Sequence, residues 1–241
     1  MPMQRKEKKE RVKKTSRRAQ DRGGKANQKS ATRDRILAAA KRVFAERPYS
    51  AASIRMVGNA AGIDHPLISY YFPTKADLFE AVLEEIAEAY YEANTSWFEG
   101  LGELSASRGF PVYIDRLLAF TQEHPEALRI VALNLVQSEE AAIIPGYRRI
   151  QALLLSNAET FRKVATLRSS AREIRMFTES FNTMVINYLG ASAYYAGILG
   201  MDPRSRAYRR WVKETLLFLF LPRLKELIRG EGQGGSEERG F

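Results

Sequence analysis

The segment IDHPLISYYFPTK contains several side chains that can recognise a polyanion. His65 and Ser69 can hydrogen-bond to base edges or to phosphate, and the hydroxyls of Tyr70 and Tyr71 can donate to phosphate oxygens. Lys75 stands at the start of a further predicted helix, where free backbone N–H groups and the positive end of the helix dipole favour an anion. These residue types point to nucleic-acid binding, provided that they face solvent.

Helical periodicity predicts which of these side chains face solvent. Ile68 and Phe72 are four residues apart, so they are expected on the buried face of one short helix together with the preceding Ile63. The side chains expected to point away from the core are His65, Pro66, Leu67, Ser69 and Tyr70. An exposed leucine and tyrosine imply a partner, and a leucine can contact the methyl group of thymine.

Capping and breaking residues predict the helices that position this segment. Apolar periodicity from Thr32 or just before it predicts a first helix that ends at Pro48. Ser53 is a favourable N-cap for a second helix, which Gly62 can end in the left-handed conformation, and Asp64 caps a third. Two short helices joined by a tight turn and packed on a preceding helix are typical of a helix-turn-helix, although other helical bundles also contain such a pair.

The remainder of the sequence also has helical patterns. Thr74 and Asp77 have capping-box spacing, which predicts a fourth, longer helix. Beyond it, glycine and proline predict breaks near residues 100–102, 109–111, 124–125, 144–146 and 200–203. Since no alternating strand pattern of useful length occurs, the predicted fold class is all-α, with an N-terminal helix-turn-helix domain and a larger helical domain.

The run AASIRMVGNAAGIDHPLISYYFPTKADLFEAVL resembles the N-terminal DNA-binding domain of TetR-family transcriptional regulators. The likeness extends from Thr32 to about Glu85 and rests on Ser-Ile-Arg, Ala-Gly-Ile, Tyr-Tyr-Phe, Pro-Thr-Lys and Leu-Phe. It departs at Leu67 and Ser69, where the family often has threonine and tyrosine. Because those side chains choose bases, the resemblance does not predict the operator sequence.

Carried over position by position, the resemblance assigns candidate DNA contacts. Ser53 and Arg55 would contact DNA from the second helix. The recognition surface would consist of His65, Pro66, Leu67, Ser69 and Tyr70. Tyr71 and Lys75 would hold phosphates of the backbone.

The resemblance also implies two domains and a dimer. The helix-turn-helix domain would span residues 31–77, and a helical domain for ligand binding and dimerisation would span residues 78–228. The last two long helices, predicted at about 169–199 and 204–228, would pair with their symmetry mates as a homodimer on a pseudo-palindromic operator. The alternative is that both helices belong to a monomeric core.

A ligand pocket is implied by the resemblance and not by a motif. The candidate lining residues, each of which could equally be ordinary core, are Tyr113, Phe120, Leu153, Phe161, Phe177, Phe181, Tyr194 and Tyr195. The apolar pattern of this region contains no concentrated set of charged residues, so a small, largely apolar effector is expected. The implied function is a ligand-responsive repressor that its effector releases from DNA.

Charge is concentrated near the amino terminus. Residues 1–30 contain twelve Lys or Arg and three acidic residues, which accounts for +9 of the net charge of +10. With few apolar side chains, this segment is predicted to be a disordered basic tail that adds non-specific phosphate affinity. The alternative function is a non-specific nucleic-acid or anionic-surface binding protein driven by that tail. The glycine-rich residues 229–241 are also predicted to be disordered.

The residue inventory argues against an enzyme, a metal site and a cofactor. The chain has no cysteine and two histidines, and it lacks a Gly-rich phosphate loop and a G-x-S-x-G motif. The absence of cysteine fits a cytoplasmic protein best. The longest apolar run, from Leu216 to Leu221, is far shorter than the roughly 20 residues that cross a bilayer, so no membrane partner is expected.

Overall fold

The computed structural model describes residues 28–135, 144–164 and 167–229. Two predictions fall mostly outside these residues: the basic tail, of which residues 1–27 are not described, and the glycine-rich tail, of which residues 230–241 are not described.

The described residues are predominantly helical and contain no β-strand, which confirms the predicted all-α fold class. The helices are α1 (28–46), α2 (Ile54–Ala61), α3 (His65–Tyr71), α4 (Lys75–Trp97), α5 (Ala106–Glu123), α6 (Ala127–Leu135), α7 (Tyr147–Val164), α8 (Ala171–Val185), α9 (Ser192–Ile198) and α10 (Arg206–Arg229). A π-helical segment, Ile186–Gly190, joins α8 to α9. Within the described ranges, no helix is both long enough and apolar enough to cross a membrane.

The first four helices begin and end largely as their capping residues predict. Ser53 caps α2 by accepting a hydrogen bond of 3.3 Å from the backbone N–H of Met56. Gly62 ends α2 in the left-handed conformation, with a φ of 62° that favours glycine. Thr74 and Asp77 form the two reciprocal hydrogen bonds of a capping box at the start of α4. The predicted helix-turn-helix is therefore present in α2 and α3.

A continuous apolar core connects the helix-turn-helix to the C-terminal helices α5–α10. Phe44 of α1 meets Phe79 of α4 edge to face, with ring centroids 4.7 Å apart. Farther along the chain, Phe177 of α8 meets Phe220 of α10 in the same manner at 5.4 Å. The 23 residues of α4 span about 35 Å, so this helix extends from the first group of rings towards the second.

Helix α1 begins earlier than predicted. Residues 28–30 are already helical, and the hydroxyl of Thr32 donates to the carbonyl oxygen of Gln28 at 2.9 Å. This bond to the residue four positions earlier is a feature of helix interiors, so Thr32 does not begin the helix. Residues 28–30 of the predicted tail belong to α1.

The break predicted at Gly109-Phe110-Pro111 is wrong, because these residues lie within α5. Phe110 is buried, with its ring centroid 5.7 Å from that of Phe181. Pro111 removes one backbone donor from the helix. Burial of the aromatic face outweighs that loss, which a local pattern cannot reveal.

The long helix predicted at about 169–199 is interrupted by the π-helical segment. A Cβ atom on Gly190 would lie 2.5 Å from the carbonyl oxygen of Leu128 and 2.8 Å from Cβ of Ala132, both in α6. Only a residue without a Cβ atom permits this approach. The π-helical segment therefore packs directly against the backbone of α6.

Candidate DNA-binding surface and ligand cavity

Helix α3 buries one face and exposes the other, as its periodicity predicts. Ile68 and Phe72 are buried in the core, and Ile63 before the helix is buried with them. His65, Pro66 and Leu67 are exposed, Ser69 is half-buried, and 66% of Tyr70 is accessible to solvent. The residues expected to contact DNA thus lie on the side of α3 that the fold leaves uncovered.

Two of these polar side chains contact each other. Oγ of Ser69 lies 3.4 Å from Nδ1 of His65, one helical turn earlier. This contact orients the imidazole while its other nitrogen remains available to a base edge or a phosphate. His65 and Ser69 therefore form a joint polar surface at the start of α3.

The paired tyrosines differ in exposure and in neighbours. Tyr71 is half-buried, and its ring is nearly perpendicular to that of Tyr70, at 87° and a centroid distance of 5.2 Å. The ammonium of Lys29 lies 5.1 Å from the centre of the Tyr70 ring. Lys29 was assigned by sequence to the basic tail, and the signal that could have placed it here is the helical spacing of Lys29 and Arg33.

A second basic residue of α1 lies on the same side. The guanidinium carbon of Arg33 is 5.4 Å from the centre of the Phe72 ring. Lys29 and Arg33 are four residues apart, so one face of α1 carries both charges next to α3. Sequence reasoning missed both as neighbours of the recognition helix.

The candidate contacts of α2 occupy its first turn. Arg55 is exposed, whereas Ser53 is half-buried and its oxygen is used to cap the helix. The hydroxyl hydrogen of Ser53 can still donate to a phosphate. Arg35 and Arg42 of α1 hold the other end of α2, donating to the carbonyl oxygens of Gly62 at 3.5 Å and Ala60 at 3.4 Å.

Lys75 has an internal role that its sequence context did not predict. Its ammonium donates to the carbonyl oxygens of Tyr49 at 2.8 Å and Ala52 at 3.2 Å, and it lies 4.3 Å from the centre of the Tyr49 ring. The side chain therefore holds the loop between α1 and α2 against the start of α4. Since an ammonium has three donors, one remains for a phosphate.

An apolar cavity lies at the far end of the helical domain, between the α4–α5 loop, α5, α7 and α10. Its volume is about 240 Å³, and Phe98, Phe110, Tyr113, Phe161 and Leu224 contribute to its wall. A smaller space of about 20 Å³ adjoins it, and the rings of Phe110, Tyr113 and Phe161 line both spaces. The walls of both spaces are mainly aromatic and aliphatic.

Four of the candidate pocket residues meet at this cavity. Tyr113 and Phe161 line both spaces, and Phe177 and Phe181 line the smaller one. Phe161 and Phe177 are stacked, with centroids 5.6 Å apart and an angle of 8° between the rings. Sequence reasoning missed Phe98 and Phe110, because a local pattern does not show which core rings border empty space.

Three of the other candidates, Phe120, Tyr194 and Tyr195, do not line this cavity. The ring centroid of Phe120 lies 5.5 Å from that of Trp97 and 4.6 Å from that of His124. Tyr195 packs against Tyr188, and 67% of Tyr194 is exposed on α9. The backbone of Leu153 lies in α7, but its side chain is outside the described part of the structure.

Few polar groups border the cavity. Burial raises the pKa of Tyr113 well above its ordinary value, so its phenol stays protonated at neutral pH. Among the described residues, no hydrogen-bond partner for that hydroxyl is present. The hydroxyl of Thr178 is already used, donating to Ile174 at 3.0 Å, whereas Asn182 lines the smaller space without a described side-chain partner. An occupant would meet apolar rings and one or two polar groups.

Comparison with known proteins agrees with this arrangement. The family described as "Bacterial regulatory proteins, tetR family" matches residues 36–82, which include most of α1 and all of α2 and α3. The chain is 25% identical over 145 residues to the "Probable HTH-type transcriptional regulator YttP" of Bacillus subtilis (strain 168), covering 58% of this chain and 70% of that protein.

A second relative is the HTH-type transcriptional repressor NicS of Pseudomonas putida (strain KT2440), which is 31% identical over 114 residues. That match covers 46% of this chain and 51% of NicS, so it spans about half of the relative. Among solved structures, a transcriptional regulator from Streptomyces coelicolor superposes with a TM-score of 0.55 at 22% identity, covering 78% of this chain and 98% of that one. At this identity the superposition shows the fold alone.

The family match coincides with the helix-turn-helix, and the exposed face of α3 has the side chains that such a unit presents to DNA. Residues 36–82 match the DNA-binding domain of the TetR family of bacterial regulatory proteins, and the chain is similar to HTH-type transcriptional regulators over a longer stretch.

Proposed function

We propose that this protein is a ligand-responsive repressor, which binds a pseudo-palindromic operator as a homodimer and is released by a small, largely apolar ligand. The observation that carries the proposal is the uncovered face of α3. Tyr70 and Leu67 are exposed there although neither contributes to the core, and Lys29 adds positive charge beside them. Such a surface is complementary to a DNA groove and its phosphates.

Within that interface the side chains divide into two groups. We assign His65, Ser69 and Tyr70 to contacts with base edges, and their position on the solvent face of α3 supports this. We assign the phosphate contacts to Ser53, Arg55, Tyr71 and Lys75. The ammonium of Lys75 would use its third N–H, since the other two donate to the α1–α2 loop. Pro66 and Leu67 complete the apolar part of the surface.

Exposed apolar side chains on the last helices support the homodimer. Phe218 and Leu219 project from α10 although the rest of the LLFLFL run contributes to the core, and 79% of Phe218 is exposed. Tyr194 and Ile198, one turn apart, are exposed on α9. Side chains of this size are seldom left exposed in groups on a monomer. A two-fold dimer through these helices would cover them and present two copies of α3 to two half-sites.

The aromatic cavity supports a small, flat, largely apolar effector. Phe98, which follows α4 directly, forms part of its wall, whereas Lys75 at the other end of α4 holds the α1–α2 loop. A ligand that displaces Phe98 would therefore act on a helix whose opposite end belongs to the helix-turn-helix. We assign residues 31–77 to DNA binding and residues 78–228 to ligand binding and dimerisation.

The proposal is tested by selecting bound duplexes from a random or genomic pool and measuring their affinity by fluorescence anisotropy. We expect a two-fold symmetric site that binds at least about 1000-fold more tightly than a shuffled duplex at about 0.15 M salt. Equal affinity for every duplex would contradict a specific repressor.

A second measurement separates this function from binding driven by the basic tail. A chain lacking residues 1–27 should keep its preference for the selected site and lose affinity equally for all duplexes, with a shallower salt dependence. Loss of nearly all binding on deletion would instead favour the tail as the binding element.

A further inference from the structure

A second cavity lies where the end of α1 meets the C-terminal helices, apart from the aromatic cavity. Its volume is about 670 Å³, and its walls come from the end of α1, the end of α5 and the turn into α6, the start of α6, the π-helical segment with the start of α9, and the α9–α10 loop with the start of α10. The arginine and glutamate residues that line it are Arg42, Arg129, Arg204, Arg209, Glu46 and Glu126. Four arginines against two glutamates give this concave site an excess of positive charge.

Three of these arginines are fixed by backbone carbonyls, and Arg42 donates to that of Ala60 at 3.4 Å. Nε of Arg129 donates to the carbonyl oxygen of Ala45 at 2.5 Å, and Nη1 of Arg209 donates to that of Arg204 at 2.8 Å. In the part of the chain that the structure describes, no carboxylate forms an ion pair with any of the four arginines. A guanidinium has five donors, so most of them remain for a ligand, and the anchored side chains lose less entropy when they bind.

The position of this cleft argues against a role in contacting the operator. Lys29 marks the end of α1 next to α3, and Ala45 in the cleft wall comes sixteen residues later. At 1.5 Å per residue this separation is about 24 Å along the helix. A duplex lying along α3 would leave the cleft free, so a smaller anion is the better match.

We propose that this cleft binds a small, multiply charged oxyanion, either a polycarboxylate or a phosphorylated metabolite. Planar guanidinium groups bind both anions through paired, charge-assisted hydrogen bonds. Because Arg129 lines the cleft and also holds Ala45, an anion there would connect α6 to α1 and restrain the helix-turn-helix. The site requires neither the operator nor the apolar effector, so its test can fail while the proposed function stands.

The test uses the full chain in isothermal titration calorimetry at constant ionic strength, with citrate as the polycarboxylate and inorganic pyrophosphate as the phosphate. We expect saturable binding of at least one of them with a Kd at or below about 1 mM. Whichever binds more tightly identifies the chemistry of the site.

Substitutions of single arginines test whether the anion binds in the cleft. Arg204→Gln and Arg209→Gln should each weaken it about tenfold, as expected for the loss of one charge-assisted contact. Arg204→Gln is the safer variant, since its side chain makes no hydrogen bond with the described residues. Arg175→Gln removes an equal charge from the exposed surface of α8 and should leave the Kd unchanged.

The proposal is overturned if neither anion binds saturably below about 10 mM. It is also overturned if Arg175→Gln weakens binding as much as Arg204→Gln, because the effect would then come from net charge and not from the cleft.

Discussion

The backbone N–H of Tyr49 donates a hydrogen bond of 2.8 Å to the side-chain oxygen of Asn134, which is completely buried in α6. The amide nitrogen of Asn134 donates in turn to the carbonyl oxygen of Ile130, also at 2.8 Å. One polar side chain thus fixes the α1–α2 loop to a helix 85 positions later in the sequence. This contact and the bond from Arg129 to Ala45 connect the helix-turn-helix to the helical domain.

Asn134→Leu should destabilise the protein by about 1–3 kcal/mol, because it leaves the N–H of Tyr49 without its acceptor in a partly buried site. Urea unfolding followed by circular dichroism measures the change. Asn187→Leu is the matched control, since Asn187 makes the same bond to the carbonyl four residues earlier, at 2.8 Å, but has no described side-chain bond to another helix. A similar loss of stability in both variants would argue against a special role for the bridge.

The core and exposed residues of α3 were predictable from sequence because they depend on local rules. A four-residue spacing places Ile68 and Phe72 inward, and Gly62 and Thr74 define turns through their own chemistry. Long-range contacts were not predictable in the same way. Nothing near Lys75 indicates that its ammonium binds the carbonyl of Tyr49, and nothing near Asn134 indicates its partner.

The wall of the candidate ligand cavity was predictable only in part. Aromatic content marked Tyr113, Phe161, Phe177 and Phe181 as candidates for a cavity wall, and these residues do meet. The same criterion also selected Tyr194, whose ring is mostly exposed, since composition does not distinguish a ring facing a cavity from one facing solvent.

Tyr70→Ala should weaken operator binding by about 1–3 kcal/mol and alter the preference for bases near its contact, with little change in stability. The reason is its exposure, which leaves the ring with few internal contacts to lose. Anisotropy titrations on the selected operator and on single-base variants measure both effects. Tyr91→Ala is the control, because Tyr91 is similarly exposed on α4 and lies outside the predicted interface. An unchanged operator affinity for Tyr70→Ala would remove this residue from the interface.

Lys75→Ala should lower both stability and DNA affinity. Two loop carbonyls lose their donor and the Tyr49 ring loses its cation, which together should cost about 1–3 kcal/mol of unfolding free energy. The loss of DNA affinity should be alike for all sequences, and the salt slope should fall by about one unit. If stability were unchanged, the contacts with the loop would have no energetic role, and a purely phosphate-binding lysine would fit better.

Gly190→Ala should destabilise the protein by about 1–3 kcal/mol or more, because the added methyl group overlaps the backbone of α6. Gly102→Ala is the control, since a Cβ atom at Gly102 would meet no atom within 4 Å and the residue is not in the left-handed region. Thermal unfolding of the two variants should therefore differ clearly. Equal melting temperatures would show that α6 can move away from the π-helical segment at little cost.

Phe218→Glu should convert the proposed dimer to a monomer, because each copy would place a charge where a phenyl ring is expected to be buried. Burying a phenylalanine contributes about 1.5–3 kcal/mol and a two-fold interface uses the residue twice, so the dimer Kd should rise at least about 100-fold. Light scattering after size exclusion at micromolar concentration measures the mass. Tyr91→Glu, another exposed aromatic replaced by a charge, should leave the mass unchanged. If Phe218→Glu had the mass of the unmodified protein, the dimer would have to form through another surface, and the two recognition helices would need a different symmetry axis.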